Sequence, residues 1–216
     1  MTMVADPRDD GGMGAGSTAQ SSTAQNSTAQ NSTARRAMID SQLRTSGVNR
    51  PDVLRAMGVV ERRDYLPEAR RGSAYIDRAI PLDDGGALPA PVVQGKLLEL
   101  ADIAPGDSVL VIDNGSGYLA ALVEVLGGKV TRGEAGAVPG RGTFDLILID
   151  GAAEELPADL ARRLAPEGRI VTGIVERGVT RLATGRLAGK RIALLPVADI
   201  GIPTIAAFAA KPTWSF

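Results

Sequence analysis

The sequence contains no cysteine and no histidine among its 216 residues. The first absence excludes disulfides, thiolate catalysis and cysteine-ligated metal. The second removes the commonest general base and the commonest metal ligand, and with them serine-hydrolase triads and zinc-hydrolase centres. A metal site would have to rest on carboxylates alone, and no carboxylate spacing points to one, so no metal is expected. Long apolar runs are missing too, with no stretch near the roughly 18 residues of a membrane helix. The formal net charge is −1, too small to favour nucleic acid or a membrane surface as partner. The opening Met1-Thr-Met-Val-Ala-Asp carries no apolar leader, so a cytoplasmic protein is expected.

What is present divides into three stretches. Residues 1–34 are low-complexity: Ser-Thr-Ala-Gln occurs at Ser17–Gln20, Ser22–Gln25 and Ser27–Gln30 and begins again at Ser32. No unit offers apolar mass against its ordering entropy, so a disordered tail is expected there. Residues 35–104 read as helices and loops. The expected helices are Arg36–Ser46, closed by Gly47; Pro51–Met57, with Asn49 or Arg50 near its N-cap; and Val92–Ala101, with Val93, Leu97, Leu100 and Ala101 on one face. Between them lie a charged connection with short helical pieces and the Asp83–Pro91 loop.

Residues 105–216 alternate strand and helix, which predicts a Rossmann-like α/β core with a mainly parallel sheet. Ser108–Ile112, Phe144–Ile149 and Arg169–Val175 are short apolar runs, the pattern of strands buried on both faces. Lys129–Thr131 reads as a brief strand, and Leu119–Leu126 and Ala152–Leu164 as helices. Arg191–Val197 and Thr204–Ala209 are expected to pair as an antiparallel C-terminal hairpin. The arginine pairs, Arg62-Arg63 among them, read as solvated surface. Trp214 and Phe216 read as a tail docked on the core.

The segment Val109-Leu-Val-Ile-Asp-Asn-Gly-Ser-Gly-Tyr-Leu-Ala120 sets a strand, a glycine-rich turn and a helix start in succession. Gly115, Gly117 and Ala120 satisfy G-x-G-x-x-G/A, which permits close backbone approach to a ligand at a helix N-terminus. The bland alternative is a tight β–α turn and nothing more. Glu134 lies 19 residues after Gly115, where an acidic side chain at the next strand's tip accepts hydrogen bonds from ribose hydroxyls. A solvated loop carboxylate is the other reading of Glu134. A dinucleotide oxidoreductase shares the turn, but no His, Lys or Tyr arrangement for proton relay accompanies it.

An ordered set of segments resembles the protein-L-isoaspartate O-methyltransferase family over roughly residues 36–216. The set is Met38-Ile-Asp-Ser-Gln-Leu-Arg-Thr-Ser-Gly-Val48, Tyr65-Leu-Pro-Glu-Ala69, Ala74-Tyr-Ile-Asp-Arg-Ala-Ile-Pro-Leu82, Gly115-Ser-Gly-Tyr118, Phe144-Asp-Leu-Ile-Leu-Ile-Asp-Gly-Ala152, Leu164-Ala-Pro-Glu-Gly-Arg-Ile-Val171 and Trp214-Ser-Phe216. The resemblance implies a methyltransferase fold, S-adenosylmethionine (SAM) as cofactor and an isoaspartyl-containing peptide or protein as substrate. It also implies a cofactor site built from Asp113, Gly115, Ser116, Gly117 and Glu134. Methyl transfer to a carboxylate suits a chain without histidine, because the nucleophile is already ionised at neutral pH; catalysis is then alignment and exclusion of water.

Three departures accompany the resemblance. Where the family's cofactor turn runs acidic-x-Gly-x-Gly-x-Gly, Val111 stands at the acidic position and Asp113 at the first glycine. Asp113 either obstructs the turn or supplies the displaced carboxylate. Ala87 and Pro89 occupy positions where the family's catalytic loop presents hydroxyls; Thr45 and Ser46 are hydroxyls elsewhere in the chain, with nothing in the sequence assigning them that role. Only 13 residues separate Val130 from Phe144, too few for the family's crossover helix and further strand, so the sheet is expected to lack an edge strand. The alternative to an active methyltransferase is a catalytically inactive relative that binds an unknown protein partner through the same face.

Overall fold

A computed structural model describes residues 29–138 and 141–210. The repeats before residue 29 and the tail with Trp214 and Phe216 lie outside the described residues. Residues 29–38 form helix α1, which passes into a π-helical turn, Ile39–Leu43. Residues 29–34, assigned to the tail on composition, are therefore helical. Their Ser32 and Thr33 hydroxyls donate back to the Ala29 carbonyl at 2.8 and 3.0 Å, so these polar side chains follow the helix rather than compete with it.

Helix α2, Pro51–Val59, begins at a proline whose missing N–H costs nothing in a first turn. Its entry is fixed from a distance: the Glu99 carboxylate accepts the N–H of Asn49 at 3.0 Å and of Arg50 at 3.2 Å. Short 3₁₀ turns follow at Arg62–Tyr65 and Glu68–Ser73. A small hairpin of β1, Ile80–Pro81, and β2, Ala87–Leu88, presents the loop between them. Helix α3, Pro91–Ala101, follows and buries most of its circumference.

The main sheet has β3 (Ser108–Asp113), β4 (Lys129–Glu134), β5 (Phe144–Ala153), β6 (Leu164–Glu176), β7 (Val179–Ala188) and β8 (Arg191–Asp199), in the order β4-β3-β5-β6-β7-β8. Helix α4, Tyr118–Val125, makes the crossover from β3 to β4. The first four strands in the order are parallel; β7 and β8 are antiparallel additions. In β3, Val109 and Val111 pack toward α2, α3 and α4, while Leu110 and Ile112 pack toward Ile205 and Phe208 on the other face. All four are fully buried, which is why the strand reads as an unbroken apolar run.

Three expectations need correction. The antiparallel hairpin is β7 with β8, not residues 191–197 with 204–209; Thr204 makes only an isolated parallel bridge to Ala152. Residues 152–164 hold no α-helix. Ala152 and Ala153 still pair with Gly173 and Ile174 of β6, and the Ala152 carbonyl, which a helix would offer to residue 156, accepts the Ile205 N–H at 2.9 Å instead. A 3₁₀ turn, Ala158–Arg162, replaces it. Arg62, finally, is wholly buried rather than solvated. The edge expectation stands: among the described residues between Glu134 and Phe144 there is neither helix nor further strand, and β4 is the last strand on that side.

Candidate functional site

Parallel strands end in register, so residues at their carboxyl ends meet. Asp113 of β3 pairs with Glu134 of β4, and Ile112 with Ile149 of β5, which sets Asp150 one step beyond. A cleft of about 750 Å³ opens at this edge, within the size range of small-molecule sites. All five expected cofactor residues, Asp113, Gly115, Ser116, Gly117 and Glu134, line it. Glu134 is exposed at the tip of β4, not in the loop beyond it.

The glycines are required by backbone geometry. Gly115 has φ +97° and Gly117 φ +74°, and Gly117 is also the N-cap of α4. Asp113 turns inward on this bend. Its Oδ1 accepts the Gly117 N–H at 2.8 Å, while Oδ2 is buried without a hydrogen-bond partner among the described residues. Burial pushes its carboxyl pKa up, against the backbone N–H groups of Gly117, Ser116 and Gly115. Asp113 thus fills the turn's donor from within. Val111, at the family's acidic position, is a core residue with no exposure.

The β1–β2 loop forms a second wall that sequence reading did not find. Asp84 accepts the Gly86 N–H at 2.9 Å, and a side chain on Gly86 would run into the Asn114 carbonyl; one on Gly115 would run into the Asp84 carboxylate. Substituting Gly86 by alanine must therefore displace one turn from the other. We expect a Tm lower by roughly 3–10 °C, in proportion to an overpacking cost of about 1–3 kcal/mol. The same substitution is expected to weaken any ligand of the cleft; thermal unfolding with and without ligand checks both. Arg132, also missed, was open to detection: it stands two residues before Glu134, on the same strand face. Thr204, Ile205 and Ala206 complete the far wall.

Ala87 and Pro89 do not line the cleft. Pro89 is buried, and its carbonyl accepts from the Arg62 guanidinium. Thr45 is exposed, its hydroxyl bonded back to Ser41 at 2.8 Å, so neither it nor Ser46 reaches the cleft. Among the described residues, the hydroxyls that do line it are those of Ser116 and Thr204.

Behind the cleft lies a buried polar chain. Arg62 donates to the carbonyls of Ala74 and Pro89 and to Gln94 Oε1, and its guanidinium carbon stands 5.1 Å from the Tyr118 ring centroid. Gln94 Nε2 in turn donates to both oxygens of Asp150, at 3.1 and 2.9 Å. Asp150 is 1% exposed. Burial first, then the charge of Asp113, push its carboxyl up to about 7; Gln94 and Arg62 pull the other way.

A parallel α/β sheet with a glycine turn, a strand-tip carboxylate and a cleft at its carboxyl edge defines the class of Rossmann-like proteins that bind a nucleoside ligand there. The family model for protein-L-isoaspartate(D-aspartate) O-methyltransferase matches residues 33–133. The chain is 32% identical over 165 residues to the protein-L-isoaspartate O-methyltransferase of Koribacter versatilis, covering 63% of this chain and 74% of that one. It is 30% identical over 198 residues to that of a Roseiflexus species, covering 77% and 88%. The chain belongs to the protein-L-isoaspartate O-methyltransferase family. The fold agrees: a Plasmodium falciparum protein of that name, solved with S-adenosyl-L-homocysteine (SAH), superposes with a TM-score of 0.65 at 19% identity, over 82% of this chain and 98% of that one.

Proposed function

We infer that this protein binds SAM in the cleft at the carboxyl edge of β3 and β4 and methylates the free α-carboxylate of an isoaspartyl residue. The observation that carries this is the convergence of the Gly115–Gly117 turn with Glu134 on one cleft. The residues fit the cofactor. Glu134 offers acceptors for ribose hydroxyls, Ile205 and Ala206 an apolar wall for a base, and the side-chain-free Gly115 and Gly117 a close backbone approach. When bound, SAM supplies an electrophilic methyl carbon whose leaving group is a neutral thioether. The chain's task is then to orient a carboxylate and exclude water. Ser116 Oγ accepts the Tyr118 N–H at 3.2 Å, which leaves its O–H free to donate to a substrate carboxylate. Thr204 offers a second hydroxyl across the cleft. A cytoplasmic location, and an isoaspartyl-containing protein rather than nucleic acid or membrane as partner, belong to the same proposal.

The test is calorimetric titration of the full-length protein with SAM, followed by methyl incorporation into an isoaspartyl peptide and its aspartyl isomer. Micromolar SAM binding with methylation of the isoaspartyl peptide alone is expected. The lack of hydroxyls at Ala87 and Pro89 favours one other reading, a cofactor-binding protein without turnover; SAM binding without methyl incorporation would establish it. No heat up to millimolar SAM, from protein shown to be folded, sinks the cofactor site itself.

A further inference from the structure

We propose that Asp113 and Asp84 convert the glycine-rich turn from an anion-receiving site into a charge-selecting one, which holds the cationic cofactor and releases its neutral thioether product. This rests on the cofactor reading above and concerns which form of the cofactor the cleft prefers.

A glycine turn opening a helix ordinarily presents free N–H groups, and so attracts phosphate or carboxylate. Here the Gly117 N–H is already taken by Asp113 Oδ1 at 2.8 Å. The chain has placed its own anion where a ligand's would sit. A second carboxylate, Asp84, stands against Gly115 so closely that no side chain fits between them. Glu134 adds a third on the neighbouring strand tip. Against these three, Arg132 is the single cation among the described lining residues; it is exposed, stands 3.7 Å from Glu124 and 3.5 Å from where a Cβ on Gly117 would be, and so offsets part of the charge while leaving the cleft net negative. Asp113 Oδ2 has no donor among the described residues, and the acid Asp150 is coupled to it from behind; the buried Arg62 guanidinium reaches Asp150 only through Gln94, so the cation beneath the turn makes no ion pair with either carboxylate. A ligand group entering beside Gly115 meets net negative charge in a partly desolvated cleft, where Coulomb terms outweigh their value in water.

SAM and SAH share adenine, ribose and amino-acid portions and differ by one methyl group and the fixed positive charge on sulfur. Transfer of the methyl to a carboxylate leaves that sulfur neutral. The carboxylates therefore favour the ligand before transfer over the ligand after it, which limits product inhibition. They also disfavour phosphate-bearing nucleotides, against which the same turn would otherwise be no barrier.

The experiment is parallel calorimetric titration with SAM, SAH and sinefungin, which carries a protonated amine near the sulfonium position, at pH 8 and low salt. The proteins are wild type, Asp113→Asn, Asp84→Asn and Glu134→Gln. Wild type is expected to bind SAM and sinefungin at least about tenfold more tightly than SAH. Asp113→Asn keeps the acceptor for Gly117 and is expected to bring the SAM-to-SAH ratio within about threefold, with Asp84→Asn, at an exposed position, shifting it in the same direction. Glu134→Gln, acting on the shared ribose, is expected to weaken all three ligands and move the ratio least. SAH binding as tightly as SAM in wild type overturns the proposal while leaving the cofactor site in place. An unchanged ratio in folded Asp113→Asn and Asp84→Asn does the same. If none of the three ligands binds, the cofactor reading fails, and this inference with it.

Discussion

Replacing Arg62 with alanine is expected to destabilise the fold by about 3–5 kcal/mol. The side chain has no exposure, and three of its nitrogens are committed: to the Ala74 carbonyl at 2.8 Å, to the Pro89 carbonyl and to Gln94 Oε1. Alanine strands all three acceptors away from water and leaves a void beneath the Tyr118 ring. It also frees Gln94, whose amide is what holds both oxygens of Asp150. For a chain of this size a loss of 3–5 kcal/mol lowers Tm by roughly 6–20 °C. Arg62→Met restores most of the volume and none of the donors, and is expected to recover only part of the loss. Urea unfolding of the three proteins separates packing from hydrogen bonding. A loss below about 1 kcal/mol for alanine would mean that the carbonyls find water, and would remove the network from the account of the fold.

Arg62 also marks the limit of what the chain discloses in one dimension. It sits in Glu-Arg-Arg-Asp, a run that looks like solvated surface, and its partners Gln94 and Asp150 lie 32 and 88 positions away. Nothing local distinguishes it from Arg63; the cause is tertiary. By contrast β3, the glycine turn and α4 were legible because each carries its own physical signature: apolar residues on both faces, φ above zero at Gly115 and Gly117, and a helical apolar period closed by glycine. The missing edge strand was legible from residue count alone. Strand β7 was not, since Gly185 and the small residues around it give weak β propensity; its place comes from pairing with β6 and β8. The helix expected after Ala152 failed for a related reason: local pattern cannot show that Ile205 returns to take the Ala152 carbonyl. The cleft divides the same way. Asp113, Gly115, Ser116, Gly117 and Glu134 were readable from the motif, whereas Asp84 reaches the turn only through the β1–β2 hairpin.

The second large effect concerns pH. Asp150→Asn is expected to stabilise the protein at pH 8 by about 2–4 kcal/mol and to leave it nearly unchanged near pH 4. In the unfolded chain an aspartate titrates near its usual value of about 3.9. In the fold Asp150 is held up to about 7, by burial first and by Asp113 second. The folded state therefore keeps its proton through a range where the unfolded state has lost it. Stability that this group contributes is complete below pH 4 and is lost as pH rises through 7. The groups facing it are Gln94 from α3, Arg62 through Gln94 from the 3₁₀ turn, and Asp113 from β3. Arg62 acts least, so removing the charge at 150 costs less than its burial does. Asparagine retains one acceptor for Gln94 Nε2 and gives up the second oxygen that this amide also reaches. The quantity to measure is the difference between wild type and variant at pH 5, 6, 7 and 8. Carboxylates outside this cluster, such as Asp52 and Asp145, whose pKa values are lowered by Arg50 and Ser108 respectively, cancel in that difference. Asp113→Asn in the same series lowers the Asp150 midpoint, because it removes the neighbouring charge. A difference that stays flat from pH 5 to 8 would show that Asp150 is ionised throughout, and that water or Arg62 neutralises the base of the cleft instead.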